Sequence, residues 1–195
     1  TLKNDLALRL KSRLILADHY NSIMLKDAEL LVNNLPFTAD GAIRNFPEDR
    51  RTRIDMDMGL KISDMNDLLK FIPDAYFQNR DKILAEGSII MEGNIHGFLA
   101  DSIMPNINLC CKIENGSYHV KDVKQGIDTL AMDLDIHLNG PHPDSSFISL
   151  EQLNMKGLNT ALDIQAKVTN LFRNPAINAK MKGQVDFTKM GQEFL

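Results

Sequence analysis

In the stretch RTRIDMDMGLKI, residues 51–62, Ile54, Met56, Met58, Leu60 and Ile62 alternate with Asp55, Asp57, Gly59 and Lys61. A period of two puts all the apolar residues on one side of a β-strand and the polar ones on the other. The pattern recurs along the chain. DLALRLKSRL carries Leu6, Leu8 and Leu10, and MDLDIHL carries Met132, Leu134, Ile136 and Leu138. GSIIMEGNIHG (87–97), PNINLCCKIENGSYHV (105–120), NTALDIQAKV (159–168) and INAKMKGQVDF (177–187) continue it. Asn33-Asn34, Asn115-Gly116, Gly140-Pro141 and Asn174-Pro175 supply turn chemistry between the runs. Helix signals are local. Asp64 is placed to cap MNDLLKFI, Pro73 stops that helix, and PDAYFQNRDK suggests a second short one. These signals predict a mostly β chain, an elongated, twisted antiparallel sheet with a short helical insertion near 64–82.

The chain also repeats itself. At a shift of 125 residues, Leu25 falls on Leu150, Phe37 on Leu162, Ala39 on Ile164, Ile43 on Val168, Met56 on Met181 and Leu60 on Val185. Ser63-Asp64-Met65 falls on Thr188-Lys189-Met190. The whole of 1–195 therefore reads as a single β-rich unit with an internal repeat, 22–69 and 147–194. Repeat sheets bury their faces by stacking neighbours, which predicts a slice of an elongated sheet.

Composition excludes several functions. Lys and Arg number 22 against 26 Asp and Glu, a net charge of −4, which argues against a nucleic-acid surface. Aromatics make up 6% and Trp is absent, so stacking platforms are poorly supplied. The ten Met residues fit either a flexible core or a soft, adaptable binding surface. Cys110 and Cys111 are adjacent in a strand-like run, so their side chains point to opposite faces and do not join in a disulfide. No apolar run approaches the roughly 18 residues needed to span a bilayer. The chain opens on Thr, shows no signal-peptide pattern, and reads as a piece of something longer.

Catalytic and cofactor signatures are equally thin. His19, His96, His119, His137 and His142 are scattered, without the i, i+4 spacing of a helical metal pair, and His137 reads as an ordinary wet-face residue. Asp55 with Asp57, and Asp133 with Asp135, share wet strand faces, where carboxylates mainly keep a sheet soluble. GSIIMEGNIHG lacks the spacing of a phosphate loop, and Ser145 and Ser146 lack a nucleophile elbow. EDRRTR (48–53) reads as a surface hairpin loop, with a contact to anionic headgroups or a partner as the sharper reading. The expectation is a non-enzyme with no cofactor and no metal.

Several passages together resemble the AsmA/TamB superfamily, in its C-terminal periplasmic region. They are the Asp-x-x-x-Leu-Leu helix (Asp64, Leu68, Leu69), the strand spaced by Gly87, Gly93 and Gly97, Glu114-Asn115-Gly116, Asn174-Pro175 and Met181-Lys182-Gly183. Their order over roughly residues 20 to 195 carries the likeness more than any one of them. The resemblance implies a periplasmic segment of a Gram-negative envelope protein, anchored in the inner membrane by an N-terminal helix that this sequence does not contain. It implies a repeating β-groove whose apolar surface handles phospholipid between inner and outer membrane and supports outer-membrane integrity, and it names no envelope partner protein. Positions in phase with such a groove are Leu8, Leu10, Ile54, Met56, Met58, Leu60, Met132, Leu134, Ile136, Ile164, Val168, Met181 and Val185. An acyl chain of roughly fourteen carbons laid there gains at most about 11 kcal/mol at 0.8 kcal/mol per methylene. Ordering and partial exposure reduce that to an exchangeable interaction. The same alternation also fits a second reading, a structural or protein-interaction module of β-sandwich type with its apolar face covered and no lipid path.

Overall fold

The computed structural model describes residues 8–19, 21–32, 35–69, 82–121, 126–157 and 159–186. Ten strands form one antiparallel meander in strict chain order, open at both sides. They are β1 (Leu8–Ala17), β2 (Ser22–Val32), β3 (Leu35–Phe46), β4 (Arg51–Ile62), β5 (Ile83–Leu99), β6 (Asn106–Val120), β7 (Gly126–Leu138), β8 (Phe147–Gly157), β9 (Thr160–Thr169) and β10 (Ala176–Val185). No second sheet lies over this one among the described residues.

Register converts the alternation into two faces. Directly opposed residues of an antiparallel pair point the same way. Ile43, Ile54 and Gly97 are aligned across β3, β4 and β5, and Phe37, Leu60 and Met91 form a parallel row. The rows continue through Met91–Cys111–Leu134–Leu150–Ala166–Ala179 to the last strand. One face is thus apolar from edge to edge.

The densest packing lies at one end of that face. Leu35, Ile62 and Ile89 are buried together, and Leu60, Met65, Leu68, Met91, Cys111 and Ile113 pack against them. Met65 and Leu68 belong to the short helix α1 (Met65–Leu69), which sits on the sheet rather than beside it. Asp64 caps it as the sequence predicts, its Oδ1 accepting the Asn66 N–H at 2.8 Å. The Asn66 side chain then accepts the Ala85 N–H of β5 at 3.1 Å and ties the helix down. The continuation toward Pro73, and the second short helix up to residue 81, lie outside the described residues, as do Asn33-Asn34.

One predicted turn is corrected. Asn115-Gly116 lies inside β6, where the β5–β6 and β6–β7 registers shift. Asn115 takes the left-handed conformation at φ 51°, which asparagine tolerates better than most residues, and this makes a bulge rather than a reversal. Gly87 opposite has φ 109°, and a Cβ there would lie 2.7 Å from the Gly116 Cα. Asn-Gly carries the same local signal at a bulge as at a hairpin tip.

The 125-residue shift has a structural counterpart. The β2–β3 ladder is interrupted between Leu25 and Ala28, and the β8–β9 ladder between Leu150 and Leu153, the same positions 125 residues on. The next ladder departs from the pattern, since Arg44 opposes Arg53 whereas Thr169 opposes Ala176. Thr188-Lys189-Met190 lie outside the described residues.

Candidate functional site: the apolar face of an open sheet

The register places every candidate groove position on the apolar face. Leu8 and Leu10 lie on β1; Ile54, Met56, Met58 and Leu60 on β4; Met132, Leu134 and Ile136 on β7; Ile164 and Val168 on β9; Met181 and Val185 on β10. They are not equally covered. Leu10 is 66% exposed and Met181 68%, against 42% for Met58 near the middle. The residues around α1 are the most buried.

A depression of about 370 Å³ opens on this face between β1 and β6. Of the sequence-derived positions only Leu10, Met58 and Leu60 line it. Ala28, Ala39 and Gly93 make it deep, because they align with Met58 across β2, β3 and β5 and leave room that larger side chains would fill. Leu25, Leu30, Phe37, Met91 and Leu109 form the walls, with Thr38 and Gly59 beside them. These residues were missed because alternation records polarity and not size. The low spot comes from small residues coinciding across strands, which needs the register to be seen.

The lining offers almost no hydrogen-bonding group. The backbone of β2 to β9 is engaged sideways in the ladders, so what faces outward is mainly aliphatic carbon, thioether and the Phe37 ring. Met58 and Met91 add flexible, polarizable walls that adapt to occupants of varied shape. Cys111 belongs to this face, and burial pushes its thiol above the ordinary range.

The opposite face is polar and holds a broader basin of about 710 Å³. A row crosses it through Asp40, Asp57, Asn94, Asn108, His137 and Phe147. Asn108 Nδ2 donates to Asn94 Oδ1 at 2.8 Å, and His137 Nδ1 donates to Asn108 Oδ1. The His137 ring stacks on Phe147 at 5.2 Å, and Lys167 Nζ sits 4.3 Å from the same ring's centre. His137 is therefore built into a cross-strand network, more than the wet-face residue the sequence suggests. Nearby, Cys110, Asp133 and Asp135 bring one sulfur and two carboxylates within 4.8 Å of one another. Lys112 Nζ already holds Asp133 at 3.2 Å. Burial, then the Asp135 hydrogen bond and charge, push the Cys110 thiol up, so it is protonated at neutral pH and a weak nucleophile.

Asp55 and Asp57 flank His96, at 3.5 and 3.6 Å, and Arg53 Nε donates to Asp55 at 2.7 Å. That hydrogen bond first, and then the guanidinium charge, hold the Asp55 carboxyl below its usual range against the opposing effect of burial. Of EDRRTR, Glu48 to Arg50 form the exposed β3–β4 turn and Arg51 to Arg53 begin β4. Arg51 lies 4.5 Å from the Phe98 ring centre.

No helix among the described residues is long and apolar enough to cross a membrane. No protein-family model, curated protein or solved structure matches the chain.

Proposed function

We propose that this chain is a non-enzymatic β-groove segment of an AsmA-like envelope protein, whose apolar face carries phospholipid acyl chains between the inner and outer membranes. The observation that carries the reading is the unbroken apolar row structure across ten strands, with side chains still exposed at both margins. A conduit for hydrocarbon needs a continuous apolar surface, no polar interruption, and no single site that traps cargo. The first two are met by the register, and the open-sided depression at Met58 fits the third. Its lining is almost wholly apolar and offers a peptide strand very little hydrogen bonding, so a flexible alkyl chain suits it best. Periplasmic location and an inner-membrane anchor belong to the same proposal through the sequence resemblance.

A second reading draws on α1. The helix lays Met65 and Leu68 on the apolar face, so part of that surface is already a seat for protein. On this reading the chain is an interaction module whose apolar face is covered by a partner element, and no lipid path exists.

Titration with a fluorescent long-chain fatty acid separates the two. The lipid reading expects saturable binding that Met58→Asp abolishes while the fold is kept. Absence of binding by the folded wild-type chain favours the interaction module.

A further inference from the structure

Two arginines stand directly opposite each other on the polar face. Arg44 of β3 is the ladder partner of Arg53 of β4, and Arg51, two residues before Arg53, shares their side of the sheet. Like charges placed directly across a ladder are destabilising. In the sequence only EDRRTR stands out, because Arg44 joins the cluster through register.

The carboxylates nearby do not balance this charge. Asp49 takes Arg51 at 2.7 Å and Asp55 takes Arg53 at 2.7 Å, whereas the Arg44 side chain has no ion pair or hydrogen bond among the described residues. Asp55 is shared with His96 at 3.5 Å, and Asp57 beyond it borders the same ring at 3.6 Å. Three guanidinium groups thus face two carboxylates. Acceptors are scarce as well. A guanidinium is all donor and no acceptor, and the Arg51 Nε is buried with no hydrogen-bond partner among the described residues.

The cluster is also held in place. The Arg51 guanidinium carbon lies 4.5 Å from the centre of the Phe98 ring and 5.9 Å from that of Phe46. The two rings meet edge to face at 5.9 Å, and Arg53 lies 5.7 Å from Phe98. Rings packed against the guanidinium groups restrict their rotamers, so less freedom is left to lose when an anion binds. Arg51 and Arg53 still keep 41% and 48% of their side chains exposed, which gives an anion access.

We propose that Arg44, Arg51 and Arg53 form a binding site for a phosphate group, seated on the polar face beside Phe46 and Phe98. A phosphate offers more oxygens and more negative charge than a carboxylate, so it can bridge the opposed Arg44 and Arg53 and accept from Arg51 as well. A soluble phosphate compound and a phospholipid headgroup present this same chemistry. The site lies on the polar face and stands without the acyl-chain reading.

Inorganic phosphate, with acetate at matched ionic strength as its control, is titrated into the wild-type chain and followed by NMR of the arginine Nε–H signals. The expected result is saturable shifts at Arg51 and Arg53 with phosphate and none with acetate. Affinity falls roughly tenfold in Arg44→Gln, the loss of one charge-assisted contact. Without phosphate, Arg44→Gln melts higher than the wild type, because the like-charge opposition is gone. Phosphatidylcholine vesicles with and without phosphatidic acid identify the source. Sedimentation with the acidic vesicles that Arg44→Gln abolishes assigns the site to a lipid headgroup, and phosphate binding without vesicle binding assigns it to a soluble compound. An equal response to acetate, no shift at Arg51 and Arg53, unchanged phosphate affinity in Arg44→Gln, or a lower phosphate-free melting temperature in that variant overturns the proposal.

Discussion

Met58 on β4 stands directly between Ala39 on β3 and Gly93 on β5. Two small neighbours leave Met58 42% exposed at the depression on the apolar face. Enlarging Gly93 should therefore fill the depression from below. A Cβ there would lie 3.1 Å from the Asn108 carbonyl oxygen and 3.4 Å from Leu109 Cδ1, a tight but adjustable fit. Gly93→Val is expected to change stability by no more than about 1 kcal/mol, because strand propensity gained offsets crowding. Fatty-acid binding should fall several-fold. Chemical denaturation and the fluorescent titration, run on the same sample, check both.

Burial differs sharply along the apolar face, and stability should follow it. Ile62, 2% exposed beneath α1, is expected to cost about 2–4 kcal/mol on substitution by Ala. Ile177, 72% exposed on β10, should cost no more than about 0.5 kcal/mol for the same change. Urea midpoints of the two variants measure the contrast. Similar losses at both sites would mean that the β10 end of the face is covered in solution.

The two positions also mark how far the sequence could be read. Alternation around Ile62 and around Ile177 looks the same in the chain, and it located the strands and their apolar side without distinguishing the two environments. The difference arises because α1 folds back onto Leu35, Ile62 and Ile89, a long-range contact that period-two patterning does not encode. Asn115-Gly116 was misread for a similar reason, since a left-handed residue serves a bulge as readily as a hairpin. The row Asn94–Asn108–His137 was invisible because its members are 14 and 29 residues apart and meet only through register. Conversely, Cys110 and Cys111 fell on opposite faces as alternation requires, opposite Glu92 and Met91 respectively.

Acid should weaken the polar face at Arg53–Asp55. The folded-state pKa of Asp55 lies below its ordinary value of 3.8, chiefly through the Arg53 hydrogen bond. A depressed carboxylate contributes its stabilisation above the unfolded pKa and loses it as pH falls through the folded one. Unfolding stability should therefore decline below about pH 4, and Asp55→Asn should remove part of that decline. Denaturation midpoints across that range, compared between the two proteins, test the sign; a steeper acid loss in the variant contradicts it.

The most direct measurement is the lipid carried by the protein itself. The chain would be purified under mild conditions, extracted, and its phospholipid counted by mass spectrometry beside Met58→Asp and an unrelated β-protein of equal size. The account predicts near-stoichiometric phospholipid on the wild-type chain and background levels on the other two. It also predicts that Met58→Asp stays folded, with a loss below about 2 kcal/mol, because the new carboxylate reaches water from a half-open face. Wild-type protein that is clean of lipid, together with a Met58→Asp variant that unfolds, would contradict it and place the apolar face beneath a protein cover.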